Sequence, residues 1–166
     1  INQAGITVEG IRFDVGDSTD GIEITSAGSG ATIRDSAFIG SGSSNGATGI
    51  NINATDASVT VSGSDFNDLD TGIDLAQDYV ATADLTGNTY ASSVNGVALA
   101  GVGSGSVVDV ASSVFVNNTA GVFIENAGTF ASDADVAISR NQFTVPTGAA
   151  GVDTDTNDFA DGDAFT

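Results

Sequence analysis

Carboxylates are the only ionisable side chains this sequence carries in number. Asp and Glu together count 22 against 3 arginines, Arg12, Arg34 and Arg140, for a formal net charge of −19, and Lys, His and Cys are absent. Without His or Cys there is no Ser-His-Asp or Cys-His nucleophile. The usual His/Cys zinc site and any disulfide are excluded as well. Two chemistries remain open to so many carboxylates. They ligate hard cations such as calcium through oxygen, and in pairs they hydrolyse glycosidic bonds.

The stretch Asp153-Thr-Asp155-Thr-Asn157-Asp158 alternates oxygen ligands as the start of a calcium loop does. With Asp161 and Asp163 it forms the candidate metal set of this sequence. It is no EF-hand, because the glycine at the sharp turn is missing and Ala164 stands where the closing acid belongs. Two further clusters are Asp14, Asp17 and Asp20, and Asp65, Asp68 and Asp70. No catalytic residues are assigned. The charge repels nucleic acid and anionic lipid. It also repels itself, so thermal stability is expected to rise steeply with NaCl or millimolar calcium. No run of about 18 apolar residues is present to cross a membrane as a helix.

The elements that must hold these acids repeat. Six times an apolar residue is followed five positions later by an aromatic one: Val8/Phe13, Ile33/Phe38, Val61/Phe66, Leu85/Tyr90, Val110/Phe115 and Ile138/Phe143. Between them runs Gly followed by apolar-x-apolar, beginning at Gly21, Gly49, Gly72, Gly96 and Gly121, and Gly151-Val-Asp-Thr154 begins a weaker seventh coil. A fixed period of this size means a stacked repeat architecture. Apolar residues alternate with polar ones inside each unit, the period of a strand with one buried face. Two residues before each aromatic stand Ile11, Ser36, Ser64, Asn88, Ser113 and Asn141. Five of these six are small and polar, and stacked copies are expected to bond to one another as a polar ladder. The spacing of the bend before the aromatic never changes, whereas the other two joints vary, so insertions and lateral function are expected there.

The pattern Gly-apolar-x-apolar, apolar-x-apolar, then Ser/Asn-x-Phe resembles the right-handed parallel β-helix repeat of the pectate-lyase-like superfamily over roughly residues 5 to 154. The resemblance implies an all-β, single-stranded right-handed parallel β-helix of about six to seven coils, with roughly 22–30 residues per coil. Residues 1–154 form the helix, and 155–166 are an Asp-rich partial last coil or tail rather than a separate domain. That superfamily spans lyases, hydrolases, tailspikes, adhesins and surface proteins, so fold alone does not assign activity. The chain opens on Ile1 rather than Met, and we read it as a processed product or a piece of a longer one.

A coil cannot bury its own core faces. We therefore expect end coils that stack on other copies of the chain or on flanking segments. The favoured reading is a non-catalytic extracellular or cell-surface structural module, part of a filament, surface layer or adhesin, stabilised by salt or calcium. The alternative is a carbohydrate-binding or polysaccharide-degrading β-helix, its groove lined by the column Glu23, Asn51, Asp74, Ala98, Phe123 and Asp153. Glycans are then the ligand; aromatic stacking platforms are scarce, and for Tyr79, Phe123 and Phe130 packing over a corner is the favoured role. The triplets Asn53-Ala-Thr55 and Asn117-Asn-Thr119 fit glycosylation acceptors of an exported protein. Neither reading has nucleic acid or membrane insertion in it.

Overall fold

A computed structural model describes residues 1–25, 29–54, 57–76, 80–100, 102, 104–125 and 134–154. Eighteen strands, numbered in chain order, fall into three parallel six-stranded sheets. The first sheet stacks β1 (Thr7–Glu9), β4 (Ala31–Arg34), β7 (Ala57–Ser62), β10 (Val80–Thr86), β13 (Val107–Ala111) and β16 (Asp135–Ser139). The second stacks β2 (Arg12–Asp14), β5 (Ala37–Ile39), β8 (Asp65–Asn67), β11 (Thr89–Ala91), β14 (Val114–Val116) and β17 (Gln142–Thr144). The third stacks β3 (Asp20–Thr25), β6 (Thr48–Asn53), β9 (Thr71–Leu75), β12 (Asn95–Leu99), β15 (Ala120–Ile124) and β18 (Ala150–Thr154). Each strand pairs with the strand three earlier and three later, so the chain winds a parallel β-solenoid. It makes about five turns, slightly fewer than the six to seven coils expected. Six strands per sheet enclose only five steps between first and last; residues 151–154, expected to begin a seventh coil, lie in β18, and the expected partial coil or tail, 155–166, lies outside the described set.

The repeating aromatics form one column. Successive ring centroids from Phe13 through Phe38, Phe66, Tyr90, Phe115 and Phe143 lie 4.7, 4.9, 5.0, 4.7 and 4.8 Å apart, with planes within 13° of parallel. That spacing is the rung repeat of a parallel sheet. Around the rings pack Ile33, Val61, Leu85 and Val110 from the first sheet and Ile24, Ile52, Leu75, Leu99 and Ile124 from the third.

The repeated glycine has a packing cause. A Cβ built on Gly72 would lie 2.4 Å from the Gly96 carbonyl oxygen and 2.9 Å from the Tyr90 ring. The same pair of obstacles, the next glycine's carbonyl and the next rung's aromatic, faces Gly21, Gly49, Gly96 and Gly121. Here the backbone turns the corner against the ring column, and a side chain has no room.

The corner between the first and second sheets is always two residues long. Its first residue is left-handed: Gly10 (φ 65°), Asp35 (50°), Gly63 (59°), Gly87 (69°), Ser112 (54°) and Arg140 (55°). Its second is the expected ladder residue. The side-chain oxygen of each accepts the backbone N–H of its counterpart one rung earlier: Ile11 N–H to Ser36 Oγ (3.2 Å), Ser36 to Ser64 (3.2 Å), Ser64 to Asn88 Oδ1 (3.0 Å), Asn88 to Ser113 (3.1 Å) and Ser113 to Asn141 Oδ1 (2.9 Å). The side-chain donors are used too. Ser36, Ser64 and Ser113 hydroxyls bond to carbonyls two residues back, and the Asn88 and Asn141 amides reach Val61 O (2.9 Å) and Val110 O (2.7 Å).

A second ladder sits three residues past the aromatics, where sequence reading found none. Leu69 N–H donates to Ser93 Oγ (3.3 Å) and Ser93 N–H to Asn118 Oδ1 (3.0 Å), after left-handed Asp68, Ser92 and Asn117. Its signal was Ser93 and Asn118 at one offset within two equally short joints, too few positions to mark a column.

Candidate functional site

The middle residue of each Gly-apolar-x-apolar strand points away from the core. Register runs Glu23 to Asn51, Asn51 to Asp74, Asp74 to Ala98, Ala98 to Phe123 and Phe123 to Asp153, so the expected outward column is continuous. It is not evenly wet. Glu23 and Asp153 are exposed at its ends, Asn51, Asp74 and Phe123 are half-buried, and Ala98 is buried.

Three acceptors crowd its lower half. The Asn51 amide donates through Nδ2 to Asp20 Oδ2 at 3.0 Å. Asn51 Oδ1 is then left buried with no hydrogen-bond partner. Asp74 stands on the next rung. Burial, reinforced by the charges of Glu125 and Asp20, pushes its carboxyl up to about 6. No cation is among the groups that act on it: Arg12 is paired with Asp14 (2.9 Å) and Arg34 with Glu9 (2.7 Å) on other sheets, Arg140 is exposed in the corner before β17, and the Ile1 ammonium donates to the Glu23 carbonyl. A carboxyl that holds its proton near neutrality has the behaviour of a general acid. Glu23, its nearest acidic neighbour in the column, is two rungs away, roughly 9.6 Å along the stack. That is the far limit for an inverting pair.

The first sheet carries another acidic contact that the sequence reading passed over. Register places Asp84 directly beside Asp109 on the outer face. Asp84 accepts from the Thr86 hydroxyl, while Asp109 Oδ1 is buried with no partner.

The clusters Asp14/Asp17/Asp20 and Asp65/Asp68/Asp70 do not assemble. Among the described residues no three acidic, His or Cys side chains converge on one point. Asp14 turns to Arg12, Asp17 accepts from Ser41 and from Asn45 (3.2 Å), and Asp20 accepts from Asn51, so that cluster disperses. Asp65 is outward on β8, and Asp68 is in a left-handed bend bonded to the Asn67 amide (2.6 Å). Of the candidate metal set, Asp153 is exposed on β18 beside Phe123, and Asp155, Asn157, Asp158, Asp161 and Asp163 lie outside the described residues. Tyr79, Phe130 and Thr55 lie outside them too. Asn53, Asn117 and Thr119 are exposed. No helix among the described residues is long and apolar enough to cross a membrane.

Compared with protein-family models, with curated proteins and with solved structures, the chain finds no match in any of the three.

Proposed function

We propose that this chain is a rigid, non-catalytic structural module of the cell surface or extracellular space, built to join like units end to end. The observation that carries the reading is where apolar surface is left open. Of the four exposed large apolar side chains among the described residues, Ile11, Val145 and Val152 belong to the first and last rungs, and only Val107 does not. Among the described residues the rings of Phe13 and Phe143 each have a single stacked neighbour. Strands β1, β2 and β3, and likewise β16, β17 and β18, are the outer members of their sheets. Such edges pair readily with another strand. First rung on last rung is a heterologous contact, which produces filaments when it does not close into a ring. The partner is another copy or a flanking coil of a longer chain, and the repeat's likeness to the pectate-lyase-like superfamily belongs to the same proposal.

The net charge of −19 opposes such contacts until salt or calcium screens it. Sedimentation and electron microscopy across NaCl and calcium concentrations are expected to show rods that lengthen, and melting temperature is expected to climb with them. A strict monomer throughout, with a flat melting temperature, overturns the proposal.

The half-buried Phe123 and Asp74 on one outward column favour a second reading, glycan binding along the third sheet. A glycan array together with turnover assays on acidic and neutral polysaccharides tests it, with binding expected to be lost in Asp74→Ala.

A further inference from the structure

We propose that Asp74 and Asn51 form a proton-operated latch on the outer face of the third sheet, in which the neutral Asp74 carboxyl donates its O–H to Asn51 Oδ1. The two residues are register partners on adjacent rungs, roughly 4.8 Å apart along the stack. Asn51 is held in one amide orientation, since only its Nδ2 can donate to the Asp20 carboxylate (3.0 Å). Its oxygen therefore faces away from Asp20, buried and without a donor. A buried acceptor without a donor is unfavourable. An ionised Asp74 supplies no donor and places a second acceptor on the adjoining rung. A protonated Asp74 supplies the missing hydrogen, and on release that proton goes to solvent.

The surroundings favour the proton. Asp20 and Glu125 both act on Asp74 with like charge. Glu23 stands two rungs below in the column and Asp153 three rungs above. Of the two flanking strands, β6 presents Asn51 and Asn53 outward and β12 presents Ala98, none of them charged. Asp56 and Asp78, in the joints after β6 and β9, lie outside the described residues. The carboxyl is raised to about 6, first by burial and then by Glu125 and Asp20. A raised carboxyl in the folded chain binds its proton more tightly than in the unfolded one. The stability it contributes is whole below the unfolded value, near 4, and is lost as pH rises through about 6.

Carbon-detected NMR titration of the Asp74 carboxyl in the whole chain is the test. The midpoint is expected near pH 6, and Asn51→Leu, which keeps the bulk and removes the acceptor, is expected to lower it by about half a unit to one unit. Thermal melts from pH 4.5 to 7.5 are the second measurement. Wild type is expected to lose melting temperature across the window, whereas Asp74→Asn, whose amide donates permanently, stays flat there. A midpoint in the ordinary carboxylate range overturns the latch. So does a midpoint that holds or rises in Asn51→Leu, since burial alone would then hold the proton. A midpoint driven down by millimolar calcium or sodium would overturn it too, by showing that the orphan oxygen serves a cation.

Discussion

The solenoid stacks amides and hydroxyls rung upon rung in two places, with opposite results. Inside the first corner, Ser36, Ser64, Asn88, Ser113 and Asn141 each receive a backbone N–H from the rung before. Outside the third sheet, Asn51 and Asp74 stack with equal regularity, yet Asn51 Oδ1 goes without a donor and Asp74 is driven toward neutrality. The residue types are nearly the same. The difference is the backbone. At the corner a left-handed residue frees one N–H per rung and aims it along the stack, whereas in the sheet every N–H is already committed to the strand ladder. Polar stacking is stabilising where the main chain supplies the donors, and where acceptors only meet acceptors it makes a titrating site.

The largest effect should come from the feature that holds the corner against the rings. Gly72→Ala forces a carbon within 2.4 Å of the Gly96 carbonyl and is expected to destabilise by about 3 kcal/mol in urea unfolding. Next is the comparison itself. Asn88→Ala strands the Ser64 N–H and the Val61 carbonyl in the core and is expected to lose about 2 kcal/mol. Asn51→Ala, which removes an orphan along with one surface bond, should stay within about 0.5 kcal/mol. Equal losses in the two variants would collapse the distinction between inner and outer stacks. The smallest effect sharpens it. The Tyr90 hydroxyl is buried within the ring column without a well-formed hydrogen bond, and burial pushes the phenol far above its ordinary range against the opposing influence of the nearby Asn88 side chain. Tyr90→Phe is therefore expected to gain about 1 kcal/mol, read as a rise in urea midpoint.

Most of the interior was legible in the sequence because a stacked fold makes like residues neighbours. The Phe/Tyr column, the first ladder and the outward column from Glu23 to Asp153 all lie where the spacing put them. The invariant two-residue corner was legible for the same reason, and the joints of variable length fall between the other sheets. Clustered charge was not legible. Asp14, Asp17 and Asp20 are close in sequence, but each is claimed by a different donor once neighbouring rungs arrive. Whether a carboxylate is wet or half-dry was equally hidden, since Asp74 and Glu23 hold one repeat position and differ in what surrounds them. The pairing of Asp84 with Asp109 needed the register itself.

The unvarying corner has a consequence for how such a molecule changes over time. Because every unit closes on a corner of two residues and its strands pair only with the units on either side, removing or duplicating one whole repeat preserves the strand order of the rest. Length is thus decoupled from foldability: a gene that gains or loses one unit yields a longer or shorter solenoid, adjusted in steps of roughly 4.8 Å.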